Sequence, residues 1–140
     1  NEMNAETLEE ISAFMTENKS EYEEKKLILY GNIPGLAYYL DMAPAIYTTW
    51  ADLNTSSLSQ LRDELTELSH SGGAEGKKRP LVILTPKLSA YLSQNQDAMA
   101  FWGTDVESCD GDEKLKAIWN FMAENDYAEV FSNEAFTLYK

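Results

Sequence analysis

The sequence has little positive charge for its 140 residues. Lysine and arginine number 11 against 24 aspartates and glutamates, so the formal net charge at pH 7 is −13. Nucleic-acid phosphates need a surface rich in lysine and arginine, and anionic bilayers attract the same residues. The composition therefore argues strongly against nucleic acid as a partner, and against adhesion to an anionic membrane surface.

The sequence also has only one cysteine, Cys109, and one histidine, His70. One cysteine excludes an internal disulfide, and its acidic neighbours disfavour a reactive thiolate. The two residues lie 39 positions apart, which is not the spacing of a zinc site. We interpret His70 as a solvated residue at the end of a helix. From the residues we predict no catalytic group, no metal site and no cofactor.

Long hydrophobic runs are missing as well. The longest apolar runs, Leu27–Tyr30 and Leu81–Leu84, are far shorter than the ~20 residues of a membrane-spanning helix. The length is that of one domain. Since the chain begins at Asn1 rather than methionine, we expect a single globular domain, residues 1–140, excised from a longer protein.

Periodicity and turn signals predict alternating helices and strands. A capping box of Thr7 and Glu10 marks a first helix from about residue 5 to 18. A leucine stripe from Leu58 to Leu68 and a stripe from Leu115 to Met122 mark two later helices. Further segments are a helix over 34–40, one or two helices over 88–102, and strands at 27–30, 45–50, 81–84, 129–131 and 136–139.

This alternation predicts an α/β fold. Leu81–Leu84 has no polar alternation, which is typical of a strand buried on both faces of a parallel sheet. The last two strands, joined by Ser132–Ala135, predict a hairpin. We therefore expect a three-layer α/β/α sandwich with a mostly parallel sheet and an antiparallel C-terminal hairpin.

Two patterns resemble functional motifs without matching them. Gly31–Gly35 follows a strand and opens a helix, where α/β proteins bind anions, but it lacks the glycine pattern and lysine of nucleotide-binding loops. A tight turn explains it better. Trp50, Trp102 and Trp119 would suit sugar stacking, but Trp119 lies in a helical apolar stripe and is predicted to be core.

Three stretches in order carry a family resemblance. They are Leu27–Leu40 with its strand-Tyr-Gly-x-x-Pro pattern, the Pro80–Leu84 strand, and Asn120–Phe131 with the closing Phe136–Tyr139. Together they resemble the soluble extracytoplasmic region that follows the membrane helices in polytopic bacterial glycosyltransferases. Those enzymes use polyprenyl-phosphate sugars, like the protein mannosyltransferase and aminoarabinose transferase families.

The resemblance implies a non-catalytic accessory domain at the extracytoplasmic face of the bacterial membrane. It would cover the active-site mouth of a multipass glycosyltransferase or help to recognise the acceptor. The implied partners are the membrane-embedded part of the same polypeptide and a glycan or lipid-linked acceptor. The family's catalytic acid lies in a loop near the first membrane helices, so no catalytic residue is carried over to this chain.

Ligands of α/β proteins bind at the carboxyl ends of parallel strands, which gives a candidate rim. This rim consists of Tyr30, Gly31, Asn32, Tyr38, Trp50 and Thr85. Two other functions remain open. The net charge also suits an acidic interaction module, such as an immunity protein or a DNA mimic, and the strand ends Tyr30–Asn32 and Thr85 also suit a small-molecule-binding α/β domain.

Overall fold

A computed structural model describes residues 3–30, 35–46, 58–86 and 113–140 of the chain. In the described residues, helices and strands alternate along the sequence up to the two final strands. The elements in chain order are α1 (Ala5–Glu17), α2 (Lys19–Tyr22), β1 (Leu27–Tyr30), α3 (Leu36–Tyr39), α4 (Leu58–His70), a 3₁₀ helix (Gly76–Lys78), β2 (Leu81–Leu84), α5 (Glu113–Glu124), β3 (Glu129–Ser132) and β4 (Thr137–Tyr139).

Helix α1 begins where the sequence predicts, but its capping box lies three residues earlier. The Asn4 side chain accepts a hydrogen bond from the Thr7 N–H at 3.0 Å, and Thr7 Oγ1 accepts one from the Asn4 N–H at 2.9 Å. The predicted box of Thr7 with Glu10 is therefore wrong. Asn4 is an equally good cap, and it satisfies the free N–H groups of the first turn before Thr7 is reached.

The two apolar runs form neighbouring parallel strands, as the sequence predicts. Strand β1 pairs with β2, and Tyr30 faces Leu84 across the ladder. Every residue of both strands is buried. Because the register puts the last residues of both strands level, their carboxyl ends lie at the same edge of the sheet.

The C-terminal hairpin is confirmed, and it occupies more of the sheet than predicted. The strand order is β1-β2-β4-β3, with β2 antiparallel to β4 and β4 antiparallel to β3. The prediction of a mostly parallel sheet is therefore wrong for the described strands, which form a mixed sheet. An apolar run reports burial on both faces, but it does not report the direction of the neighbouring strand.

The strand predicted at 45–50 is described only at its start. Pro44 forms an isolated parallel bridge with Leu27, whose N–H donates to the Ala43 carbonyl at 2.9 Å. Residues 47–50 lie outside the described residues. So do the helices predicted at 88–102 and Cys109.

Alternate residues of the strands point into two apolar clusters on opposite faces of the sheet. Helices α4 and α5 share one of these, the α4–α5 cluster, with Ile28, Tyr30, Val82 and Leu84. Helices α1, α2 and α3 contribute to the other, the α1–α3 cluster. Its buried members are Ile11, Tyr22, Leu27, Leu29, Leu36, Leu81, Ile83, Ala135, Phe136 and Leu138.

Helices α3 and α5 end in the same way. Asp41 after α3 and Asp126 after α5 have positive φ angles of 53° and 57°. The next N–H in each case bonds back five residues, from Met42 to the Ala37 carbonyl and from Tyr127 to that of Met122, both at 3.0 Å. These are Schellman endings, in which a left-handed residue turns the chain off the helix.

Candidate functional site

The carboxyl ends of β1 and β2 form the strand-end edge that the sequence singles out. Tyr30 is the last residue of β1, and Thr85 directly follows β2. Because Tyr30 and Leu84 are register partners, Tyr30 and Thr85 lie at the same end of the parallel pair. Gly31, Asn32 and Trp50 of the candidate rim lie outside the described residues.

The Tyr30 side chain has a structural position. It is only 6% exposed and belongs to the α4–α5 cluster, where it packs with the helices on that face. Thr85 is half-buried. Of these two, Thr85 therefore offers more side-chain surface to a ligand, whereas the ring of Tyr30 stabilises the core beneath the edge.

Tyr38 is the most exposed large hydrophobic residue in the described part of the chain. Its side chain is 92% exposed, and that of its neighbour Tyr39 is 46% exposed. Both lie on α3, which Leu36 anchors in the α1–α3 cluster. After α3 the chain runs to Pro44, which bridges to Leu27 at the start of β1, so the residues that follow the tyrosine pair lie toward the amino end of β1.

A groove of about 350 Å³ lies beside the tyrosine pair. Tyr39 and Met42 line it on one side, and Met15, Lys19 and Glu23 of the α1–α2 region line it on the other. Its walls combine apolar side chains with both signs of charge. The surface next to Tyr39 therefore offers both apolar and polar contacts to a partner.

A second cluster, centred on Arg79, lies at the other end of β2. The Arg79 guanidinium lies 3.9 Å from the centre of the Tyr127 ring. It donates hydrogen bonds to the carbonyls of Asn125 and Lys140. The Tyr127 hydroxyl donates to the Pro80 carbonyl at 2.6 Å. This Arg79 cluster joins the start of β2 to the end of α5 and to the C-terminal residue.

Lys25 closes the Arg79 cluster from the α2 side. Its ammonium is buried and donates to the carbonyls of Gly76 and Arg79 at 3.1 and 2.9 Å. Burial lowers the pKa of Lys25, while the nearby Glu21 raises it. Both cations of the cluster bind backbone carbonyls. We therefore interpret the Arg79 cluster as a set of structural contacts that holds the 76–80 segment in place.

Tyr127 makes the stability of the fold sensitive to alkaline pH. Burial raises the pKa of its phenol well above the ordinary 10.0, and Arg79 only partly offsets this. The native state therefore keeps a proton that the unfolded chain releases above pH 10. This contribution to stability is complete below pH 10 and is lost as the pH rises through the native pKa.

We therefore expect Tyr127→Phe to flatten the alkaline loss of stability. Urea unfolding between pH 8 and 11 measures it for both proteins. In the wild type the slope from this one group reaches about 1.4 kcal/mol per pH unit. Lys25 acts in the opposite direction and Tyr22 in the same one, but both are present in both proteins. Parallel pH profiles would show that Tyr127 ionises normally in the native state.

His70 is the last residue of α4 and is exposed, as the sequence predicts. It lines a groove of about 330 Å³ between α4 and α5 with Ser69 and Glu124. Ser69 and His70 are adjacent on the helix, so their side chains do not face each other. Ser69 Oγ accepts a hydrogen bond from the Asn125 side chain at 3.2 Å. These residues do not form a nucleophile–base pair.

Sequence reasoning missed a groove between α5 and the C-terminal hairpin. It has a volume of about 400 Å³ and is lined by aromatic and acidic residues, including Trp119, Tyr139 and Glu129. The sequence predicts Trp119 as core, whereas in the structure it is half-buried and packs against the α4–α5 cluster. The signal available in the sequence was the run of aromatic residues at 119–139, which fold together only once the hairpin pairs with β2.

Within residues 3–30, 35–46, 58–86 and 113–140, no group of three or more His, Cys, Asp or Glu side chains could hold a metal ion. In the same ranges, none of the helices is long and apolar enough to cross a bilayer.

No protein-family model, curated protein or solved structure matches the chain.

Proposed function

We propose that the chain is a non-catalytic accessory domain of a membrane glycosyltransferase that uses polyprenyl-phosphate sugars. On this proposal it stands at the extracytoplasmic face of a bacterial membrane and covers the active-site mouth or helps to recognise the acceptor. Its partners are the membrane-embedded part of the same polypeptide and a glycan or lipid-linked acceptor. The resemblance in the sequence is the starting point, and three features of the fold support it.

The first supporting feature is the way the resembling stretches meet. Leu27–Tyr30, Leu81–Leu84 and the C-terminal hairpin are far apart in the chain, yet they form one continuous sheet. With apolar clusters on both faces of that sheet, we propose a three-layer α/β/α arrangement for the whole domain. The three resembling stretches therefore support the proposal more strongly together than any one of them does alone.

The observation that carries the proposal is the exposure of Tyr38. An aromatic ring that is 92% in solvent contributes nothing to the core of this domain. Tyrosine is enriched both at protein interfaces and at membrane–water interfaces, because its ring is apolar and its hydroxyl is polar. Tyr38 therefore suits a contact with the membrane-embedded part.

The distribution of charge is the third feature. The buried Lys25 and Lys116 and the internally bound Arg79 remove positive charge from a surface that already carries a large acidic excess. Such a surface is repelled by anionic lipid headgroups. A domain of this kind can stand beside a membrane without lying flat on it. On this proposal, it contacts the membrane-embedded part of the polypeptide through the tyrosine pair.

The test replaces Tyr38 with serine in the full-length protein and measures sugar transfer. We expect transfer to fall about tenfold, since large aromatic residues contribute most of the energy of an interface. The melting temperature of the 140-residue chain should stay unchanged because the side chain makes no core contact. Val130→Thr, which alters another exposed hydrophobic residue on β3, is the matched control. Normal transfer with Tyr38→Ser would show that Tyr38 makes no functional contact with the membrane-embedded part.

A second candidate function is an acidic interaction module for a basic protein. The same loss of surface cations favours it, because exposed acids of α1 and α4 belong to a chain with a net charge of −13. Binding of this kind weakens steeply with salt. Capture of a basic partner that is released between about 50 and 300 mM salt would favour this function over the accessory domain.

A further inference from the structure

We propose that the groove between α5 and the C-terminal hairpin binds a neutral pyranose sugar. This hairpin groove is lined by Trp119, Met122, Asp126, Tyr127, Glu129 and Tyr139. Its volume of about 400 Å³ lies within the range of about 300–1,000 Å³ that is usual for small-molecule sites.

The hairpin groove is separate from the strand-end rim. Tyr139 pairs with Val82 on β2, whereas Thr137 pairs with Leu84. Tyr139 therefore lies toward the amino end of β2, and Thr85 lies beyond its carboxyl end. The inference depends on the side chains of this groove alone and goes beyond the proposed contact at Tyr38.

The aromatic wall of the hairpin groove is held in place by the core. Trp119, Tyr127 and Tyr139 are half-buried, and each packs against the α4–α5 cluster. Tyr127 is fixed further by its hydrogen bond to Pro80 and by the guanidinium of Arg79. Rings that are fixed before binding lose little conformational freedom when a ligand packs on them. The C–H face of a pyranose ring is the apolar surface that such rings accept in water.

The polar wall of the hairpin groove consists of acceptors. Asp126 and Glu129 are both exposed beside the aromatic residues. Ionised carboxylates accept strong, charge-assisted hydrogen bonds, and vicinal sugar hydroxyls are suitable donors. Two negative charges repel phosphorylated and carboxylated sugars. The combination therefore selects a neutral sugar with free hydroxyl groups.

Asp126 offers a substitution that tests the groove without weakening the fold. It has φ 57° at the end of α5, a conformation that glycine adopts without strain. Asp126→Gly removes the carboxylate and should leave the chain at least as stable as the wild type. Loss of sugar binding in this variant would therefore report the missing acceptor and not unfolding.

The experiment is an NMR titration of the ¹⁵N-labelled 140-residue chain with methyl glucoside, methyl mannoside, methyl galactoside and cellotetraose. We expect saturable shifts of the Trp119 indole N–H and the Glu129 amide, with a Kd of about 1–10 mM for at least one probe. Binding only by the tetrasaccharide would identify the occupant as a sugar within a chain, and binding by a methyl glycoside would identify a single unit.

Variants of the groove's carboxylates distinguish specific sugar binding in the hairpin groove from unspecific contact elsewhere on the surface. Asp126→Gly and Glu129→Gln should each weaken binding at least about fivefold, because each removes a charged acceptor. Glu124→Gln is the matched control, since Glu124 lies on α5 but lines the groove toward α4. The proposal is overturned if no probe gives a saturable shift up to about 100 mM, or if neither variant weakens it. Either result is independent of the transfer assay on Tyr38.

Discussion

Phe136→Ala is expected to lower the free energy of unfolding by about 3–5 kcal/mol, the largest effect of any single substitution considered for this chain. Phe136 is 0% exposed and belongs to the α1–α3 cluster. It immediately precedes β4, the strand that carries the hairpin onto β2. Removal of the ring leaves a cavity between the hairpin and the helices, and surrounding side chains in a packed core fill such a space only in part.

Urea unfolding followed by circular dichroism measures this effect. Because small domains are stable by only about 5–15 kcal/mol, the variant should unfold at a much lower urea concentration, or be unfolded without urea. Val130→Ala on the exposed side of β3 is the control, and we expect it to change stability by less than about 0.5 kcal/mol. A loss below about 1 kcal/mol for Phe136→Ala would contradict the position of the hairpin in the core.

Arg79→Met is expected to lower the free energy of unfolding by about 2–4 kcal/mol. Methionine keeps an apolar stem but removes the donors that bind the carbonyls of Asn125 and Lys140. It also removes the cation from the Tyr127 ring. The two carbonyls lose these donors, and the start of β2 loses part of its connection to the end of α5 and to Lys140, although the hydrogen bond from Tyr127 to the Pro80 carbonyl remains.

The matched control for Arg79→Met is Lys77→Ala, which removes an exposed cation two residues earlier. We expect that change to be nearly neutral. A double-mutant cycle of Arg79→Met with Tyr127→Phe should show coupling, because the two side chains are in contact. Additive effects, or a neutral Arg79→Met, would show that the Arg79 cluster does not hold the 76–80 segment in place.

The sequence predicts those elements whose pattern is local and strong. Leu27–Tyr30 and Leu81–Leu84 are confirmed as buried strands, and the leucine stripe is confirmed as α4, Leu58–His70. The hairpin is also confirmed, and it could be predicted because its turn is encoded by local residues. Asn133 Oδ1 accepts hydrogen bonds from the Ala135 and Phe136 N–H groups, both at 2.9 Å.

Strand direction was harder to predict because it depends on distant pairing. The insertion of β4 beside β2 joins residues more than 50 positions apart. The apolar run of β2 is equally compatible with a parallel and an antiparallel neighbour. The sequence does not predict the Arg79 cluster for the same reason, since its members are distant in the chain: Lys25, residues 76–80, residues 125–127 and Lys140.

The described members of the candidate rim differ in their exposure. Tyr38 is exposed on α3, the helix after β1. Tyr30 was expected at the same rim, but its ring packs into the core. A tyrosine at the end of a buried strand can face either way, and alternation along β1 directs Tyr30 to the same face as Ile28. Sequence alone did not show which tyrosine would be exposed.

The reading frame upstream of Asn1 is the first measurement to make, because we propose that this domain belongs to a membrane glycosyltransferase. We expect the frame to continue upstream and to encode some eight or more apolar segments of about 20 residues each. A frame that starts within a few residues of Asn1, with no such segments, would contradict it. The acidic interaction module would then be the leading function, and a search for a basic partner would be the next step.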